Sequence, residues 1–148
     1  MILTEMLPIT SENLEQCIEL YMNVFNNEPW SESWTYETAK ERLTDLLHTP
    51  KFLGFLFHID NNLVGFIAGN SKVSYQGLTF YLAELCVNNE IQGKGYGSKI
   101  LHSLEAELQK RDIKSLYLLT ANGGLAEAFY RKNDYVINEH RIVMNKNL

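Results

Sequence analysis

Three short stretches carry residue types whose spacing could do chemistry. The first is Gln92-Gly93-Lys94-Gly95-Tyr96-Gly97-Ser98, followed directly by an amphipathic run from Ser98 to Leu108. Alternating glycines let backbone N–H groups approach a ligand with no Cβ atoms in the way. The start of a helix adds donors that have no intrahelical partner and sit at the positive end of the dipole. The stretch therefore reads as a cradle for phosphate groups, and Lys94 could add charge there. Its spacing is Gly93-x-Gly95-x-Gly97, which is neither the dinucleotide fingerprint nor a Walker loop.

The second stretch is the apolar run Tyr81 to Val87, interrupted by Glu84. Burial penalises a charged carboxylate, so its proton affinity rises toward the range a general base uses. The same residue could instead be a paired structural carboxylate or a substrate anchor, with a water chain as the base. The third stretch, Asn27-Glu28-Pro29-Trp30-Ser31-Glu32-Ser33-Trp34, concentrates acids and indoles. Carboxylates and aromatic faces select a cationic amine, so Glu28, Trp30, Trp34 and Glu84 are candidate acceptor-binding residues. The tryptophans equally suit anchoring a turn to the core. Cys17 and Cys86 fall on predicted apolar faces and read as buried reduced thiols. The histidines 48, 58, 102 and 140 lack metal-ligand spacing, so no metal is expected.

These stretches need a scaffold. After Ser11 as a plausible N-cap, Leu14, Cys17, Ile18, Tyr21, Met22 and Phe25 recur at helical spacing. A second helix should start near Ser33 or Thr35 and end before Pro50. Phe52 to Ile59 and Leu63 to Gly69 read as a hairpin turning at Asp60-Asn61-Asn62. Leu78 to Val87 is a third strand, buried on both faces. After the glycine loop and its helix come a strand at Ser115 to Thr120, a short helix at Leu125 to Lys132, and one or two closing strands in Tyr135 to Asn145. With Ile2 to Leu7 as the first strand, the order is β-α-α-β-β-β-α-β-α-β. That is an α/β (α+β) fold, a mixed and mostly antiparallel sheet of about 6–7 strands flanked by about 4 helices.

At 148 residues, 45% hydrophobic and 21% charged, the chain fits one globular domain spanning residues 1–148. No stretch is apolar enough to span a bilayer and no secretion signal is visible, so a cytoplasmic location away from membranes is expected. A net charge of −5 argues against nucleic-acid binding. The charge is uneven: residues 1–62 hold ten acids and three bases, whereas residues 63–148 hold eight acids and ten bases. The half with the glycine loop can host an anion, and the first half could attract a cation.

The loop, its preceding strand and the segment Ala126-Glu127-Ala128-Phe129-Tyr130-Arg131-Lys132-Asn133-Asp134-Tyr135 together resemble the GNAT superfamily of acyl-CoA-dependent N-acyltransferases. The family loop pattern is matched by Gln92, Gly95 and Gly97, and the element order agrees from end to end. Two positions depart from the family: Asp134 stands where Gly usually follows the short helix, and Gly123 where an Asn is frequent.

The resemblance implies that Gln92, Gly93, Lys94, Gly95, Gly97 and Ser98 hold the pyrophosphate of coenzyme A. It further implies that the backbone of Leu85, Cys86 and Val87 pairs with the pantetheine arm. The same strand edge would meet the thioester oxygen with an N–H group. Transfer would be direct, from acetyl-CoA to a primary amine of a small cationic acceptor or peptide terminus. Tyr130 matches the family residue that protonates the departing thiolate, or else packs against the cofactor to orient it, and Glu84 is the candidate base. The rival expectation is a non-catalytic acyl-CoA sensor or partner protein on the same fold. Homodimers are common among soluble proteins, and a homodimer is compatible with this reading.

Overall fold

The computed structural model describes residues 5–91 and 93–148. Contacts divide the chain into two compact units, Met1–Leu118 and Leu119–Leu148.

In the first unit, a four-residue strand β1 (Glu5–Pro8) leads to helices α1 (Leu14–Phe25) and α2 (Tyr36–Leu47). Leu14, Cys17, Ile18, Tyr21 and Val24 make the buried stripe of α1, as the helical spacing requires. Asn13 is the N-cap residue, not Ser11. Its amide accepts from the Thr10 N–H at 2.8 Å and donates to the Pro8 carbonyl at 2.9 Å, so it fixes the approach to the helix. Thr35 caps α2, and its hydroxyl and that of Thr38 serve each other's backbone N–H groups in a capping box. The helices are tied by the Tyr36 hydroxyl, which donates to Glu15 at 2.8 Å.

Strands β2 (Phe52–Ile59) and β3 (Asn62–Ser74) form the expected hairpin. Its two-residue turn, Asp60-Asn61, takes φ of 49° and 69°, the left-handed pair a tight hairpin uses. Strand β4 (Gly77–Val87) pairs antiparallel with β3. A 3-10 turn (Asn89–Ile91) and the glycine loop lead into α3 (Tyr96–Lys110), and β5 (Ser115–Tyr117) closes the sheet by pairing parallel with β4. The sheet order is β1-β2-β3-β4-β5.

Both faces of the sheet are covered. Leu56, Phe66, Ala68 and Cys86 join the buried residues of α1 and α2 in one core cluster. On the other face a Cβ at Gly65 would stand 3.0 Å from Ile100 of α3, whose stripe Tyr96, Ile100, Leu101, Leu104 and Leu108 is buried. Burying Phe57, Phe66 and Phe80 almost completely contributes about 1.5–3 kcal/mol for each ring.

The second unit holds α4 (Leu125–Lys132). Asp134 follows its end with φ of 71°. The Tyr135 N–H donates to the Tyr130 carbonyl at 3.0 Å and the Asp134 N–H to Arg131 at 3.1 Å, which is a Schellman ending with Asp where Gly is favoured.

Fold class agrees with the sequence reading, but the strand count does not: the described residues form five strands, not six or seven. Tyr135 to Asn145 forms no strand. A strand exists only when its ladder is paired, and residues 119–148 pair with no strand. Val136, Ile142 and Val143 are accordingly exposed. The strand expected at Ser115 to Thr120 stops at Tyr117, and the first strand is described only from Glu5.

Candidate active site

The register of β4 decides where its side chains go. Cys86 stands opposite Phe66 and Glu84 opposite Ala68, but Gly69 stands opposite Leu82, so Ala83 is an extra residue in β4, a β-bulge. The bulge reverses the alternation. Phe80 and Leu82 share the α3 face with Gly69 and Ile67, whereas Glu84 and Cys86 share the α1–α2 face with Ala68 and Phe66. Tyr81, opposite Asn70, lies on that same face, so the bulge puts Tyr81 and Glu84 on one side of the strand. Gly69 permits this: a Cβ there would stand 2.0 Å from the Tyr81 carbonyl oxygen. A glycine in a strand interior is the sequence signal that would have indicated the bulge.

Glu84 is buried, 7% exposed, beneath α1 and α2. Its Oε1 accepts from Arg42 Nε of α2 at 2.9 Å and from the Tyr21 hydroxyl of α1 at 3.4 Å. Burial raises the carboxyl's pKa above its ordinary value, against the opposing pull of the Arg42 guanidinium and of the Arg42 and Tyr21 hydrogen bonds. Arg42 in turn stacks on the Trp34 ring, its guanidinium carbon 5.5 Å from the centroid. Tyr21 meets the edge of Trp34 with centroids 5.1 Å apart, and burial, then the Glu84 charge, pushes the Tyr21 phenol upward. Trp34 is held by its backbone, which exchanges bonds with the Asn26 amide at 2.7 and 2.9 Å, and by its indole N–H on Glu32 at 2.6 Å.

Sequence reasoning missed Arg42 and undervalued Tyr21. Arg42 lies three residues after the buried Ala39 and one before the buried Leu43, so a charge at the rim of the apolar stripe was the available signal. Tyr21 was legible as a stripe residue, and its hydroxyl was the detail that set it apart.

The acceptor candidates are only partly brought together. Trp34 joins Glu84 through Arg42 and Tyr21, and Trp30, 38% exposed, is linked one ring further out, edge-on to Phe25 at 5.2 Å, with Phe25 packed on Tyr21 at 4.7 Å. Glu28 is exposed and stands outside this cluster.

Beyond Tyr81, β4 leaves β5. The parallel ladder covers Thr79, Phe80 and Tyr81 against Ser115, Leu116 and Tyr117 and ends there, well short of Val87. Leu85 and Cys86 pair with Ile67 and Phe66 on the β3 side. The Cys86 side chain is fully buried, and burial raises its thiol pKa well above the ordinary value; burial likewise pushes Cys17 up to about 12. Both are thiols at neutral pH, unsuited to nucleophilic attack.

In the loop, Gly93 and Gly95 have φ of 86° and 82°, and a Cβ on either would meet nothing within 4 Å. Glycine is used here for backbone conformation, and the space beside it is open. The helix begins at Tyr96, two residues before the expected Ser98, with Gly95 as N-cap and no side-chain cap. Its first i→i−4 bond runs from the Lys99 N–H to the Gly95 carbonyl at 3.2 Å. The amides of Tyr96 and Gly97 precede it and face away from the helix body. Gly97 and Ser98 therefore sit within the first turn, and Lys94 is exposed. Gln92 lies outside the described residues. Tyr130, in the second unit, is half-buried and packs edge-on against Phe129 and Tyr135, with centroids 5.1 and 5.5 Å apart.

A family model described as the acetyltransferase (GNAT) family matches residues 14–135. The chain belongs to the GNAT acetyltransferase family. Solved structures share the fold of this acetyltransferase. A possible acetyltransferase from Clostridium difficile 630 superposes with a TM-score of 0.82 at 14% identity, covering 99% of both chains. An aminoglycoside acetyltransferase, meta-AAC0020 from an uncultured soil metagenomic sample, gives 0.73 at 20% identity, covering 97% of this chain and 95% of its own. Aminoglycoside N-acetyltransferase AAC(6')-Iy in complex with CoA gives 0.73 at 10% identity, covering 97% and 93%. No curated protein sequence matches significantly. Among the described residues no cluster of His, Cys, Asp and Glu could hold a metal ion, and no helix is long and apolar enough to cross a membrane.

Proposed function

We propose that this GNAT acetyltransferase moves an acetyl group from acetyl-CoA directly to the primary amine of a small cationic acceptor. The observation that carries the reading is Glu84, a buried carboxylate turned by a bulge onto the acidic, aromatic side of the sheet, on the strand that β5 abandons after Tyr81.

The loop fits the cofactor's phosphates. The open space beside Gly93 and Gly95 and the uncapped amides at the start of α3 suit an anion. Gln92, Lys94, Gly97 and Ser98 complete that binding set, and the backbone of Leu85, Cys86 and Val87 takes the pantetheine arm. When bound, acetyl-CoA supplies the activated acetyl thioester. Glu84 accepts the proton of the acceptor ammonium, whose pKa of ~10.4 otherwise keeps the amine unreactive at neutral pH. Donors on the edge of β4 meet the charge that develops on the acyl oxygen, and Tyr130 returns a proton to the leaving thiolate.

A cationic acceptor is favoured by Glu32, whose charge reaches Glu84, by Trp30 one ring further out, and by Trp34 as the wall behind Arg42, with the exposed Glu28 adding to the acidity of the same loop. The amine acceptors of the aminoglycoside acetyltransferases that share the fold are consistent with it.

The test is thiol release from acetyl-CoA over polyamines, aminoglycosides and lysine-ended peptides. Turnover is expected with at least one cationic amine, and Glu84→Gln should lower kcat about a hundredfold and abolish the acid limb of the pH profile. CoA binding with no turnover on any amine would refute the reading.

A further inference from the structure

Both hydrogen bonds to Glu84 end on the same oxygen. Arg42 reaches Oε1 through Nε at 2.9 Å, and the Tyr21 hydroxyl reaches it at 3.4 Å. An arginine free to choose would use its planar fork and hold both carboxylate oxygens at once. Here Nε alone meets the carboxylate, while the guanidinium lies over the Trp34 ring. That ring is itself fixed by Asn26 and by Glu32.

We propose that Arg42 and Tyr21 are positioning residues: they hold Oε1 of Glu84, so that Oε2 is the oxygen that takes the proton from the acceptor amine. This rests on Glu84 being the base. A carboxylate on two rotatable torsions would otherwise present either oxygen in several orientations. Donors from two different helices, converging on one oxygen, fix the carboxylate plane and leave the second oxygen's lone pairs for the reaction. The arrangement also sets the charge. Arg42 is half-exposed, 53% against 7% for its partner, so it keeps its hydration while stabilising the buried anion.

The titratable and charged groups facing Glu84 are Arg42 from α2, Tyr21 from α1, Glu32 from the connecting loop, and Tyr81 and Cys86 from β4. Among the described residues, Arg42 is the one cation in this set, and the hydroxyl of Tyr21 is the one neutral donor bonded to the carboxylate. Removing either disfavours the carboxylate and raises its pKa. The base works deprotonated, and activity is lost as pH falls through that pKa, so each removal moves the acid limb to higher pH.

The experiment measures kcat, both KM values and the pH profile of kcat/KM for the wild type, Arg42→Gln, Arg42→Lys, Tyr21→Phe and Glu84→Gln. The acceptor is whichever polyamine, aminoglycoside or lysine-ended peptide the wild type uses best. Arg42→Gln should lower kcat about tenfold and shift the acid limb upward by about one pH unit, with KM for acetyl-CoA unchanged. Arg42→Lys should restore the limb and only part of kcat, because it returns the charge without the planar geometry. Tyr21→Phe removes a single oxygen from a packed ring, and should shift the limb the same way by less. An unmoved limb in both Arg42→Gln and Tyr21→Phe, while Glu84→Gln abolishes it, would overturn the clamp and leave the base reading intact. A limb that survives Glu84→Gln would overturn both.

Discussion

Gly69→Ala tests whether the bulge of β4 sets the site. The added Cβ would lie 2.0 Å from the Tyr81 carbonyl oxygen and 2.7 Å from two atoms of the Phe80 ring, against an ordinary contact distance of 3.4–4 Å. Phe80 is fully buried and the carbonyl is backbone, so neither can rotate aside. The strands must separate at the Gly69–Leu82 pair, immediately next to the bulge. Overpacking a closed site costs about 1–3 kcal/mol, occasionally more, and a clash with backbone belongs at about 3 kcal/mol. At about 2–4 °C per kcal/mol for a chain of this size, the melting temperature should fall by about 6–12 °C. Glu84 is two residues along β4 from Leu82, so the same shift misplaces its carboxylate, and an error of about 1 Å costs up to about a hundredfold in rate. Thermal unfolding followed by circular dichroism, with kcat/KM measured well below the transition, separates the two effects. Gly124→Ala is the control, because its Cβ meets nothing and its φ of −95° suits any residue. A Gly69→Ala protein that melts within about 2 °C of wild type and keeps its rate would refute the idea that the missing side chain fixes the bulge.

Tyr130→Phe should lower kcat about a hundredfold with KM for acetyl-CoA unchanged; steady-state kinetics with unaltered kcat would remove its acid role. Gly95→Val places a β-branched residue at φ of 82°, and calorimetric titration with CoA should show affinity at least about tenfold weaker. Asp134→Gly removes a left-handed conformation from an L-residue at φ of 71° and should stabilise the protein by about 0.5–1 kcal/mol in denaturant unfolding. A loss of stability there would mean that the Asp side chain contributes more than its backbone costs.

Legibility in the sequence followed the range of the interaction. Helix α1 could be read from Leu14, Cys17, Ile18 and Tyr21 because its period is local, and the turn at Asp60-Asn61 because left-handed φ is a property of the residues themselves. The glycine loop was legible for the same reason, although the helix behind it starts at Tyr96, since Gly95 in a left-handed conformation serves as the cap. Glu84 stood out as a charge in an apolar strand. Its partner did not, because Arg42 is 42 positions away and only the packing of α2 over β4 brings them together. Val136 and Ile142 failed in the opposite sense: their β preference is real, but a strand needs an edge to pair with.

The extra residue at Ala83 has a further consequence for how this chain can change over time. Leu82, just before it, answers to the α3 core and Glu84, just after it, answers to the face with Arg42, so Glu84 can be exchanged without repacking Leu82, and Leu82 without disturbing Glu84. Changes in length are another matter. Deleting Ala83 would restore simple alternation and keep the carboxylate opposite Ala68 on the face with Arg42, whereas one further residue inserted before Glu84 would turn it into the apolar layer beneath α3, away from its arginine, where an unpaired charge costs several kcal/mol. Evolution is thereby free to vary the chemistry at position 84 by substitution, and even to lose the extra residue, while an insertion in this part of β4 is closed to it.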